Sequence, residues 1–359
     1  MRRLSPSHHR QPPDIEYSCT VEKKMPAPAK KRPTVRDVAA AAGVSRGTVS
    51  RVINGGHWVS DEARAAVEAA IKATGYSLNQ HARSLATGRS NSIAFLLTEP
   101  QHLLFEDPTF STLLRSCAEV LGGREMPMLL MVAGTEKERK RITEYISSGH
   151  VDGVIVVSSH RNNPVIADLV AKGIPTVACG APLGHEDQVG YVAVDEVGSA
   201  RRIVDYLRSK YQRVAMITGP LDTPGGLFRL DGYRLAMGSD YDDSLVAHGD
   251  YSRASGAQAM RDLMQRRPDI DAVFAASDLM AVGAMAALHA AGKSVPGDVA
   301  VAGFDDHSIA STSNPPLTTM KQPFERIASE VVRVLLGVIE GDEHAAVILP
   351  ANLVERESA

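Results

Sequence analysis

The sequence predicts two unlike parts: an N-terminal all-α head of three short helices in a helix-turn-helix arrangement, then an α/β body of two doubly wound parallel-sheet lobes. Three observations lead there. Between Thr34 and Gly75, apolar residues recur at helical spacing and are interrupted by cap and turn residues. From Ser92 onward, short aliphatic or β-branched runs alternate with helical stretches, the pattern of parallel strands covered on both faces. At 359 residues the chain exceeds one ordinary core, and the alternating region is long enough for two lobes.

In the head, Val35, Val38, Ala39 and Ala42 form one apolar stripe. Thr34 is placed to cap this helix, and Asp37 favours its positive end. Gly43 stops it by taking a left-handed conformation that a side chain resists. Ser45 is the next N-cap. In the helix it opens, Val49, Val52 and Ile53 point inward while Arg46, Gly47, Ser50 and Arg51 share the opposite face. A third helix follows from Ser60, with Asp61 and Glu62 in its first turn, an apolar stripe of Ala63, Val67, Ala70 and Ile71, and Gly75 at its end. Trp58, the only tryptophan, precedes this helix and is expected to pack on the small core. Two short helices around a glycine turn, with arginines facing outward on the second, are a device for entering a DNA groove.

Charge agrees with that reading. The net charge of -3 divides into +3 over residues 1–30, +5 over residues 31–90 and -11 over residues 91–359. A basic head on an acidic body suits a polyanion bound at one end only. Between Gly75 and Gly88, YSLNQHARSLAT has few large apolar residues and reads by itself as a linker in which Asn79 is able to cap a helix running through Leu85.

In the body, the expected strands are SIAFLL, PMLLMVA, VDGVIVVS, IPTVACG, YVAVDE, RVAMITG, DAVFAAS and VAVAGFDD. The expected helices include 135–148, 196–210, 252–266 and 278–291. In such sheets a small ligand binds near the C-terminal ends of strands. Asp305 and Asp306, Ser277 and Asp278, Arg229, and Phe110 after the long first loop all fall there. A carboxylate and an arginine bind vicinal hydroxyls in fork geometry, and an aromatic face covers the C–H side of a sugar ring. Asp278 and Asp306 have a competing role, capping the helices that follow them. Arg229 is the strongest candidate, with a structural salt bridge as its alternative.

Several classes are excluded. The first 31 residues are basic and proline-containing without an apolar core, so they read as a disordered extension and not as a secretory signal; Met25 is an alternative start. No uninterrupted apolar run reaches the roughly 18 residues of a membrane helix, so no membrane association and a cytoplasmic location are expected. Cys19, Cys117 and Cys179 and the histidines show no metal-type spacing, so neither metal nor cofactor is expected. AGKS at 291–294 lacks the glycine of a phosphate loop, since Ala287 stands there, and no G-x-S-x-G elbow occurs; an enzyme is not expected. An exported binding protein fits the body alone, but neither the head nor the absent signal.

The segments GVSRGTVSRVIN, VSDEAR, GYSLNQHARSLATGRS, VDGVIV, RLDGY, SDLMAVGA, VAVAGFDD and PPLTTMKQP occur in order between Arg32 and the C-terminus. By them the chain resembles the LacI/GalR family of transcriptional regulators. The resemblance implies a homodimer, or a tetramer, on a pseudo-palindromic double-stranded DNA operator. Residues 32–76 form the DNA-binding head, with Thr34, Ser45, Arg46, Gly47, Ser50, Arg51 and Asn54 at bases or backbone. Residues 77–90 form a hinge helix carrying Asn79, Arg83 and Leu85, the leucine wedged into the minor groove. The body is implied to be periplasmic-binding-protein-like: one lobe of 91–193 plus 322–341, the other of 194–321 plus 342–359, with crossovers near Ala193, Gln322 and 341–345. An effector lies in the cleft, first a sugar or glycoside and second a purine-like compound, at Arg229, Ser277, Asp305 and Phe324, joined by Phe110. Two departures stand out: Gly180 and Ala181 supply no polar arm, and serine stands at 277 where many relatives carry asparagine. The long loop EPQHLLFEDPTF offers Phe105, Asp107 and Phe110 to fill the cleft instead.

Overall fold

The computed structural model describes residues 33–53, 58–76, 89–161 and 163–359. The N-terminal extension, Asn54 and the hinge positions Asn79, Arg83 and Leu85 lie outside the described residues.

The head comprises α1 (Val35–Ala42), α2 (Arg46–Ile53) and α3 (Asp61–Thr74). Local chemistry sets both ends of α1 and α3 and the start of α2. The Asp37 carboxylate accepts from the Thr34 backbone N–H at 2.7 Å and from its hydroxyl at 2.8 Å. Ser45 Oγ accepts from Thr48 N, and Ser60 Oγ from Ala63 N, satisfying N–H groups the helices leave open. Gly43 and Gly75 close α1 and α3 at φ 66° and 65°. Val38, Val49 and Val67, one from each helix, meet fully buried. Trp58 does not join them. It is 90% exposed, and Tyr76, after α3, packs on this core instead.

The body contains two six-stranded sheets. The first holds β1 (Ile93–Leu97), β2 (Met128–Val132), β3 (Gly153–Val157), β4 (Thr176–Cys179) and β5 (Gly190–Val194). The second holds β6 (Val214–Thr218), β7 (Val246–His248), β8 (Ala272–Ala275), β9 (Ala300–Asp305) and β10 (Thr318–Lys321). Two late strands complete them: β11 (Ala346–Leu349) pairs parallel with β5, and β12 (Asn352–Val354) pairs antiparallel with β10. The orders, β2-β1-β3-β4-β5-β11 and β7-β6-β8-β9-β10-β12, are the same in both lobes, a doubly wound pattern with a switch point beside each first strand.

The eight expected runs all form strands; β7, β10, β11 and β12 had no such signal. β7 and β12 are three residues long, β10 reads TTMK, and β11 is a partly exposed edge strand. β11 also corrects a boundary. Because Ala346–Leu349 extends the first sheet, the last crossover falls at 350–351 and not at 341–345, and residues 342–349 do not belong to the second lobe. The chain first leaves the first lobe after β5 and returns after β10 through the helix Phe324–Glu340, whose apolar face covers β3, β4 and β5.

The long loop after β1 is also more ordered than its composition indicates. It contains a helical turn, Leu103–Glu106, after which Asp107 caps the helix Pro108–Gly122 by accepting from Thr109 N at 2.9 Å. Pro108 sits at the first helical position, where its missing N–H costs nothing.

Candidate functional site

On the head, Arg46, Gly47, Ser50 and Arg51 are exposed on α2, and Thr34 and Ser45 are exposed at the two helix starts. Val49 and Val52 turn the other way, into the core. The helix therefore presents a continuous polar and basic face. At Gly47 an added Cβ would meet nothing nearer than Ser45 Oγ at 3.6 Å, and φ there is not positive, so the fold does not require glycine. A missing side chain on an exposed basic helix leaves room for a close approach by whatever that face binds.

In the body, a cavity of about 670 Å³ lies between the lobes, at the C-terminal ends of the strands. Phe110, Arg229, Ser277, Asp305 and Phe324 all line it. Phe105 does not; it is 85% exposed on the short helix.

Arg229 is the electrostatic centre. It rides on the helix Pro224–Met237 and is only 5% exposed. Its Nε and Nη2 donate to the two Glu196 oxygens at 2.7 and 3.2 Å, Nη1 donates to the Ala276 carbonyl at 2.5 Å, and Nη1 lies 3.6 Å from Asp305 Oδ1. Its guanidinium carbon sits 3.7 Å from the centre of the Phe304 ring. Burial alone would lower the arginine's pKa, but the Glu196 and Asp305 carboxylates outweigh it and raise it. The salt bridge and the cleft position thus coexist in one residue.

Asp305 ends β9 with φ 114°, and Asp306 follows at φ 59°, a strained pair of non-glycine residues at a strand end. The Gln322 amide donates to Asp305 Oδ1 at 2.7 Å, while burial pushes this carboxyl up to about 6 against the pull of Arg229. Phe324, at the second crossover, stacks on His307 with centroids 5.2 Å apart, and His307 Nε2 meets Thr109 Oγ1 of the other lobe at 2.9 Å.

The expected capping roles of Asp278 and Asp306 are wrong. Ser277 is the cap, its Oγ accepting from Met280 N at 3.3 Å. Asp278, fully buried, accepts instead from His307 N at 2.8 Å and Thr319 Oγ1 at 2.6 Å, fixing β10 and the loop after β9. Burial raises its pKa well above the usual carboxylate range, with the Asp305 charge adding to this. Gly303 makes room for it, since a Cβ there would lie 2.5 Å from Asp278 Oδ1. Asp306 pairs with Arg356 at 2.6 Å.

Sequence reasoning missed Glu196, Gln322 and a third group on the first-lobe wall. There Glu99 and His160 line the cleft, and His160 Nε2 bonds Glu99 Oε1 at 2.8 Å while Nδ1 bonds Asp222 Oδ2 of the second lobe at 2.8 Å. Carboxylates at strand ends, Glu99 after β1 and Glu196 after β5, were the available signal. Among the described residues no cluster of His, Cys, Asp or Glu is arranged to hold a metal, and no helix is long and apolar enough to cross a membrane.

Comparison with known proteins accounts for both parts. Residues 34–79 match the bacterial regulatory proteins of the lacI family, and residues 204–359 match a periplasmic binding protein-like domain. The HTH-type transcriptional regulator CelR of Thermobifida fusca is 43% identical over 92% of this chain and 99% of its own length. The ribose operon repressor of Escherichia coli (strain K12) is 34% identical over 91% and 99%. Among solved structures, a transcriptional regulator CelR–cellobiose complex matches with TM-score 0.73 and 41% identity, covering 91% of this chain and all of that one. A lac repressor dimer bound to operator and the anti-inducer ONPF matches with TM-score 0.81 and 27% identity, covering 91% and 99%. An exposed basic helix-turn-helix face and a charged cleft between two like-wound lobes are thus the working parts of a DNA-binding transcriptional regulator, not an enzyme, and the chain belongs to the LacI family.

Proposed function

We propose that this protein is a cytoplasmic repressor that binds a pseudo-palindromic operator as a homodimer and is controlled by a sugar, with a glucose disaccharide such as cellobiose as the first candidate. The observation that carries the effector class is the cleft itself. A fork of Arg229, Glu196 and Asp305 stands beside Phe110 and Phe324 in a cavity of about 670 Å³, a size suited to a small oligosaccharide. The likeness to a regulator solved with cellobiose supports a disaccharide over ribose or a purine.

In this reading the two α2 helices of a dimer enter successive major grooves. Arg46 reads a base, Ser45, Ser50 and Arg51 lie near bases or phosphates, and Thr34 and Asn54 hold the backbone. Residues 77–90 fold on the operator, with Asn79 and Arg83 on DNA and Leu85 opening a base step. Sugar binding shifts the lobes and so changes the energy of that folding. Titration calorimetry with cellobiose, ribose and adenine, followed by operator gel shifts with each, tests the whole. Binding of cellobiose with a changed operator affinity is expected; binding of ribose or adenine alone would overturn the effector class. In the same gel shifts, L85A is expected to weaken operator binding and reduce the bend.

A further inference from the structure

His160 stands on the segment after β3 in the first lobe, between Glu99 at the end of β1 and Asp222 in the loop after β6 of the second lobe. Both ring nitrogens lie 2.8 Å from a carboxylate oxygen. A neutral imidazole has one N–H and one lone pair, so it can serve only one such partner; an imidazolium serves both. The geometry therefore selects the cation.

The two carboxylates are not equivalent. Glu99 is 12% exposed and also accepts from Ser158 Oγ at 2.5 Å, so it is fixed to its own lobe. Asp222 is 49% exposed and reaches across the gap, where its backbone carbonyl also accepts from Arg161 N at 2.8 Å. Loss of the ring proton leaves one N–H for the Glu99 bond and strips the interlobe bond. Glu99 and Asp222 are the charged groups that face His160, and Arg161 is the charged neighbour on its own segment. The contact borders the cavity, since His160 and Glu99 are both part of its wall.

We propose that His160 is the clasp of the effector cleft, its imidazolium tying the second lobe to the first through Asp222, so that closure and effector affinity depend on this bond. The clasp builds on the sugar reading above only for the identity of the ligand. The hydrogen bond that His160 donates to Glu99, opposed by burial and aided by Asp222, raises His160 from the ordinary histidine value of 6.5 to about 9. The sign follows. A group whose closed-state pKa is raised favours closure fully below its open-state value, and the benefit is lost as pH rises through about 9.

The test uses the full chain with Cys19→Ser and spin labels at Lys172→Cys in the first lobe and Gln265→Cys in the second, both exposed positions. Interlobe distances are measured at pH 7 and pH 10 in this protein, in His160→Gln and in Asp222→Asn, beside cellobiose calorimetry. Both variants are expected to show a longer, broader distance at pH 7 and about tenfold weaker cellobiose binding. The parent should move toward them at pH 10, and His160→Gln should not respond to pH. Coincident distances and affinities for parent and His160→Gln at both pH values overturn the clasp. A pH-dependent distance with no cellobiose binding in any protein supports the clasp and overturns the sugar reading.

Discussion

Arg46 and Arg51 lie exposed on an eight-residue helix, whereas Arg229 is almost wholly buried and bonded to Glu196, the Ala276 carbonyl and, more loosely, Asp305. The first arrangement leaves charge in water, where it meets a polyanion by displacing counterions and costs the fold little. The second has already taken charge out of water, so each member is held in place by the others. A substitution on the head should therefore alter recognition and spare stability. One in the cleft should alter both.

The largest effect should come from Arg229→Ala. It strands the Glu196 and Asp305 carboxylates, and a loss of about 3–5 kcal/mol in denaturant unfolding is expected, with sugar binding abolished in calorimetry. A stable R229A protein would break the contrast. Next is Arg46→Ala, expected to relax discrimination at one operator base pair by roughly 1–3 kcal/mol in competition gel shifts, with an unchanged unfolding midpoint. Equal loss on every operator sequence would move Arg46 to a phosphate.

A smaller effect concerns Asp305. Its carboxyl titrates near 6 in the folded chain and near 3.8 when unconstrained, so the folded state holds the proton to higher pH. Stability from this group then falls as pH rises from about 4 to about 6. Urea midpoints of the parent and Asp305→Asn across that window should differ by this slope. The smallest is Gly47→Ala, which should raise head stability by roughly 0.5–1 kcal/mol through helix propensity while weakening operator binding. Unchanged operator affinity would show that the bare position serves no close approach.

Legibility followed the reach of the contacts. Both ends of α1 and α3 and the start of α2 are set within a few residues by Thr34, Gly43, Ser45, Ser60 or Gly75, so the head could be read directly. Trp58 was misjudged because an apolar side chain says nothing of whether a site on the core remains open, and Tyr76 packs there. In the cleft, the residues carried over by resemblance line the cavity, but their partners were not evident. Glu196 meets Arg229 across 33 positions, and His160 meets Asp222 across 62. Ser277 and Asp278 show the same limit: both are good caps, and only the packing of Thr319 and His307 assigns the carboxylate elsewhere. β11 escaped notice because AVIL follows a helix of the first lobe by a short turn and belongs beside a strand far upstream.

That last pairing bears on the order in which the protein matures during synthesis. The first lobe comes off the ribosome early, yet its covering helix Phe324–Glu340 and edge strand β11 are made near the end. The second lobe, continuous from Glu196 to Lys321 apart from β12, has nearly all its parts beforehand. Nascent chains should thus carry a second lobe that lacks only β12 and the C-terminal residues beside an uncovered first lobe, and this late closure is where chaperones would be engaged.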